Sequence, residues 1–198
     1  MRERRPEDWD SDLAGRHALE RRMAVALGGH PDCVLLKTAT SSLGELDYAI
    51  AGPGDRLGQV ELKAKHQPYR GWGHLRPDLA EVDLFILDEL ALRKIVDAGR
   101  YAYLVVADLP GRRWCVWSTA DLVLATKTRT VRALATGSYR QKAKLLLDLR
   151  EAAAQVADEH AATDVIARML DTCDAHWQAI EPWPYGPAVR DPFQRRTS

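Results

Sequence analysis

The chain has 198 residues, 46% of them hydrophobic and 28% charged, with 28 lysines and arginines set against 28 aspartates and glutamates. Such a composition belongs to a globular protein large enough for one well-cored domain, and it excludes a fibrous chain, a disordered chain and a pair of independent enzymes. A net charge of zero argues against nucleic-acid binding through bulk charge, and the absence of any apolar run near ~20 residues argues against a membrane span.

The opening MRERRPEDWD lacks the apolar segment of a signal peptide, so the sequence predicts a cytoplasmic protein without membrane contact. From Leu13 to Leu27 the apolar residues Leu13, Leu19, Met23 and Leu27 fall near helical spacing, and the Gly-Gly-His-Pro at 28–31 stops the helix. CVLLKT (33–38) reads as a short strand. ELDYAI (45–50) and LGQVELKAK (57–65) follow as strands joined by AGPGD, which predicts an antiparallel pair. HQPYRGWGHLRP then forms a loop in which Tyr69, Trp72, His74 and Arg76 suit either nucleic-acid contacts or packing.

Asp78 with Glu81 has the spacing of a capping box and Gly99 suits a C-terminal cap, so residues 79–98 read as one helix. YAYLVVA (101–107) and RWCVWS (113–118) are strands around a turn, and Ser118 with Asp121 starts a further helix. KAKLLLDL (142–149) satisfies the pattern of a strand and that of a helix start, residues 151–180 read as helix, and the Pro-rich tail matches no regular element. The whole predicts an α/β fold, a mixed sheet with helices on its faces: a core over 1–150, a helical extension over 151–180 and a flexible tail over 181–198.

Cys33, Cys115 and Cys173 are odd in number and lack a CxxC pair, and the six histidines show no paired ligand spacing, so any metal is expected on oxygen ligands. The chemistry concentrates in the second and third strands. Glu61 and Lys63 share a strand face, Val60, Leu62 and Ala64 point the other way, and Asp47 across the turn can reach the Glu61 side. Gln59 and Lys65 lie on that face too, as lining or as solvated sheet residues. Burial of such charges without compensation costs several kcal/mol, which leaves solvation, ion pairing or a metal. Two carboxylates are hard ligands of the kind Mg²⁺ or Mn²⁺ prefers, and a lysine beside them can orient a nucleophile or stabilise charge on phosphoryl oxygens.

A helix bearing Glu20, a strand bearing Asp47 and a next strand bearing Glu61-x-Lys63 together resemble the PD-(D/E)xK nuclease superfamily over roughly residues 13–118. Leu46 stands where many members have proline. The resemblance implies a restriction-endonuclease-like fold and Mg²⁺- or Mn²⁺-dependent phosphodiester hydrolysis, with Glu20, Asp47 and Glu61 holding metal and Lys63 at the nucleophile. DNA is the expected substrate. The acid-free stretch 122–147, with Lys127, Arg129, Arg132, Arg140, Lys142 and Lys144, would track the phosphate backbone. Duplex cleavage needs two sites or two visits, which a homodimer would supply. With no GxxxxGK[ST] motif in the chain, any motor would be a partner protein. Repulsion among the three carboxylates is expected to destabilise the metal-free protein. The rival reading keeps the fold as a catalytically silent nucleic-acid-binding or assembly module.

Overall fold

The computed structural model describes residues 6–38, 44–69, 71–132 and 142–180. In chain order the elements are α1 (Pro6–Gly29), β1 (Val34–Thr38), β2 (Tyr48–Ala51), β3 (Leu57–Lys65), β4 (Leu84–Asp88), α2 (Glu89–Ala98), β5 (Ala102–Asp108), β6 (Arg113–Ser118), α3 (Thr119–Leu124), β7 (Lys127–Arg132), β8 (Lys142–Asp148), β9 (Ala154–Val156) and α4 (Glu159–Ile180). Six strands form a mixed sheet in the order β1-β2-β3-β5-β6-β9, and β4-β8-β7 form a second sheet. Among the described residues no helix is long and apolar enough to cross a membrane.

The β2–β3 hairpin is antiparallel as its turn predicts, with Tyr48 opposite Val60 and Ala51 opposite Leu57. β3 then runs parallel to β5. A parallel neighbour needs a crossover, and the segment containing β4 and α2 supplies it. β5 is buried at every position because it lies inside the sheet with packed side chains on both faces, which is why its sequence runs apolar from Ala102 to Ala107 before the buried Asp108.

On one face, Val60, Leu62, Tyr103, Val105 and Val116 pack against Leu19, Met23 and Leu27 of α1 and Ile166 and Leu170 of α4. On the other, Leu104, Val106 and Trp117 pack with Ala91 and Ile95 of α2 and with Phe85, Leu87 and Leu147 of the second sheet. α4 thus lies in the principal core. Its Leu170 approaches the hairpin so closely that a Cβ on Gly52 would meet Leu170 Cδ2 at 2.2 Å.

Three expectations change. Residues 84–88 are strand, and the helix begins only at Glu89. Leu84, Phe85 and Leu87 are apolar all round because β4 is enclosed by β8, α2 and the main sheet, a pattern shared by a buried strand and a buried helix. The supposed cap residues act elsewhere: Asp78 accepts from Arg76 Nε and Nη2, at 3.0 and 2.8 Å, and Glu81 accepts from the Gly71 N–H. Residues 151–180 are not one helix, since Ala154–Val156 pairs with β6 and Asp158 starts α4 by accepting from the Ala161 N–H at 2.9 Å. The 142–149 ambiguity resolves as strand over Lys142–Asp148. Ser118 and Asp121 form the expected reciprocal capping box of α3. The tail 181–198 lies outside the described residues.

A bidentate pair joins α1 to α4: Arg22 Nε and Nη2 donate to Glu159 Oε1 and Oε2 at 2.8 and 2.5 Å. The Arg22 hydrogen bonds hold the Glu159 carboxyl below its ordinary value of 4.5. Because the folded value is depressed, the pair's contribution is complete above 4.5 and disappears as pH falls through the folded value. Arg22→Met is therefore expected to cost about 1 kcal/mol near neutral pH and nearly nothing in acid. Urea unfolding of both proteins across that range checks it, and a pH-independent difference would remove the ion pair as the cause.

Candidate active site

The ladder between β2 and β3 ends at the Tyr48–Val60 pair, while β3 continues beside β5 to Lys65. Where the two strands part, Asp47 Oδ2 accepts the N–H of Leu62 at 2.8 Å. That backbone group belongs to the residue between Glu61 and Lys63, so the Asp47 carboxylate reaches β3 at that position.

Glu61 is only 2% exposed, so its charge needs compensation. Two ammonium groups supply it. Lys63 Nζ donates to Glu61 Oε1, and Lys94 Nζ of α2 lies 3.5 Å from Oε2. These pairs compensate the Glu61 charge. Lys94 has no motif to mark it. Its signal is tertiary: α2 packs on the sheet face toward which Glu61 points, opposite the Val60 and Leu62 face.

Glu20 is held differently. Its helix covers the Val60 and Leu62 face, its carbonyl oxygen accepts from Tyr48 Oη at 2.8 Å, and its carboxylate meets His17 Nδ1 at 3.3 Å. The Tyr48 bond places the Glu20 backbone next to the strand that follows Asp47. Among the described residues no three His, Cys, Asp or Glu side chains form a group able to hold a metal ion. The donor chemistry of Asp47 and Glu61 nonetheless suits a hard cation that keeps several waters, as Mg²⁺ does when bound through one or two carboxylates.

Lys65 does not line a solvated site. It is fully buried, donates to the Val82 carbonyl and lies 3.6 Å from Asp108 Oδ1, and burial pushes its ammonium pKa down. Arg113 completes this network by donating to Asp108 at 2.9 Å and to Asp83 at 2.6 Å, which pins the approach to β4 onto the sheet. In the loop after β3, Tyr69 and Trp72 pack against the Leu79, Leu84 and Leu146 cluster, Arg76 pairs with Asp78, and His74 meets the Gly71 carbonyl at 3.0 Å.

Three cations of the basic stretch, Lys127, Arg129 and Lys144, are engaged by the protein itself. Lys127 Nζ donates to the carbonyls of Leu122, Val123 and Ala125 at 2.6, 2.9 and 2.6 Å, closing the C-terminus of α3. Arg129 pairs with Glu89 at 2.8 Å, and Lys144 pairs with Asp88. The backbones of Arg132 and Lys142 are paired in register between β7 and β8, and Arg140 lies outside the described residues. The three cysteines are buried thiols, with burial raising Cys115 to about 12 and Cys173 to about 11. A cleft of about 110 Å³ between α4, β5 and α3 is lined by Tyr103, Ser118, Asp121, Met169, Cys173 and His176. Tyr103 packs on the Val60 and Leu62 face, so this cleft is separate from Glu61.

The helix-capping role of Lys127 has a measurable consequence. Lys127→Met is expected to lower stability by about 1 kcal/mol through the lost carbonyl contacts. Thermal melts check this, and an unchanged melting temperature would leave the carbonyl contacts without a stabilising role.

Comparison of the chain with protein-family models, with curated proteins and with solved structures finds no match in any of the three.

Proposed function

We propose that the protein is a divalent-metal-dependent nuclease of the PD-(D/E)xK superfamily, with DNA as its substrate. The observation that carries this reading is the Asp47 carboxylate bonded to the Leu62 N–H, between Glu61 and Lys63, where β2 and β3 part. The surrounding order supports it: a helix, three antiparallel strands, then a crossover containing a helix that returns the chain parallel to the third strand.

In this reading Asp47 and Glu61 hold Mg²⁺ or Mn²⁺, which when bound supplies Lewis acidity at a phosphoryl oxygen and an acidified water. Lys63, already oriented by Glu61, stabilises the negative charge that develops on the phosphoryl oxygens. Glu20 assists from α1, adjoining Tyr48 rather than the Glu61 face, so its contribution is the smallest of the three acids. One observation favours the silent binding or assembly module instead. Both Glu61 oxygens are already matched by ammonium groups, so the buried charge is compensated without a metal.

Incubation of supercoiled, linear, branched and single-stranded DNA, with RNA alongside, in Mg²⁺, Mn²⁺ and EDTA separates the two. The nuclease reading expects cleavage that EDTA abolishes. Asp47→Asn and Lys63→Ala should each lower kcat by at least about 100-fold, and Glu20→Gln by about 10-fold or less, with DNA affinity within about two-fold of wild type. Full-rate cleavage in EDTA would remove the metal from the mechanism, and DNA binding without cleavage under every condition would establish the silent module.

A further inference from the structure

Lys94 stands outside every motif in the sequence, yet it is the second ammonium group at the most buried charge of the site. Its Nζ lies 3.5 Å from Glu61 Oε2, while Lys63 takes Oε1. Lys94 is 24% exposed along its side chain and Glu61 is 3% exposed, so the lysine side chain reaches solvent while the carboxylate it meets is buried. Its neighbour Arg93 is 67% exposed and pairs with Glu89 on the same helix. One position apart, the two cations of α2 thus serve different partners.

From this geometry we infer that Lys94 is a positioning residue of the site: it orients the Glu61 carboxylate from the opposite side to Lys63 and sets how strongly that carboxylate attracts a divalent cation. The inference rests on the reading of Asp47 and Glu61 as cation ligands. An ammonium at Oε2 and a divalent cation at the same carboxylate repel each other, so Lys94 weakens metal binding in exchange for a fixed carboxylate. Removal of its charge should tighten the metal and loosen the geometry. Arginine, which keeps the charge, should preserve both.

The test titrates Mn²⁺ alone into the full chain by calorimetry and then measures DNA cleavage, for wild type, Lys94→Met, Lys94→Gln, Lys94→Arg and Arg93→Met, with circular dichroism on each. Lys94→Met and Lys94→Gln are expected to bind Mn²⁺ at least about three-fold more tightly and to lose about 10-fold in kcat with KM within about two-fold. Lys94→Arg and Arg93→Met should match wild type in Mn²⁺ affinity. Equal Mn²⁺ affinity in all five proteins, or absence of Mn²⁺ binding to wild type, overturns the inference. Cleavage by wild type with no effect of Lys94→Met overturns it while leaving the nuclease reading intact. Lys94-dependent Mn²⁺ binding without cleavage in any protein supports the inference and ends the nuclease reading instead.

Discussion

Strand β3 is longer than the strand it forms a hairpin with, and the architecture around the site follows from that inequality. At Gln59 and Val60 it has β2 on one side and β5 on the other; beyond Val60 the ladder to β2 is gone while β5 continues. A backbone N–H left over at such a point must find an acceptor, because a buried unsatisfied donor costs about 1–3 kcal/mol. Asp47 meets that need at Leu62. The same bond that satisfies the backbone brings a carboxylate to the strand position flanked by Glu61 and Lys63. Backbone satisfaction and carboxylate placement coincide here because the sheet opens at that step.

The second constraint is charge. Glu61 points away from the face covered by α1 and α4 and toward α2, where it is almost wholly buried. An uncompensated carboxylate there would be disfavoured by several kcal/mol, and the protein answers with one lysine from the same strand and one from the packed helix. Deeper along β3, Lys65 is sealed off altogether and given to Asp108 and the Val82 carbonyl, a network that fastens the loop leading to β4. Alternate residues of one strand face, Glu61, Lys63 and Lys65, thus pass from an ion-paired site to a buried structural lock within two turns of the pleat.

The basic stretch teaches a related lesson about counting charges. No acid lies within residues 122–147, yet Asp88 and Glu89, distant in sequence, are brought against Lys144 and Arg129 by the pairing of β4 with β8 and β8 with β7. Lys127 is occupied by backbone carbonyls at the end of a helix. A run of like charges in sequence is therefore not a positive surface until the neighbouring strands are known.

The hairpin, the apolar β5 strand, the capping box at Ser118 and the shared face of Glu61 and Lys63 were all legible in the sequence. Each depends on period-two alternation, a turn or a contact three residues apart, which are local properties. Local pattern failed at 84–88, where an all-round apolar segment suits a buried strand as well as a buried helix and only the partner β8 decides, and at 154–156, where three residues become a strand because β6 offers an edge. It could not find Lys94, because nothing in ELALRKIVDA distinguishes Lys94 from Arg93 until α2 is laid on the sheet. What the sequence alone determined was which side chains share a strand and a face. Which of them meet, which are neutralised and by whom depended on the tertiary structure, since charge compensation is set by distance through space and burial, and neither is a property of neighbouring residues in the chain.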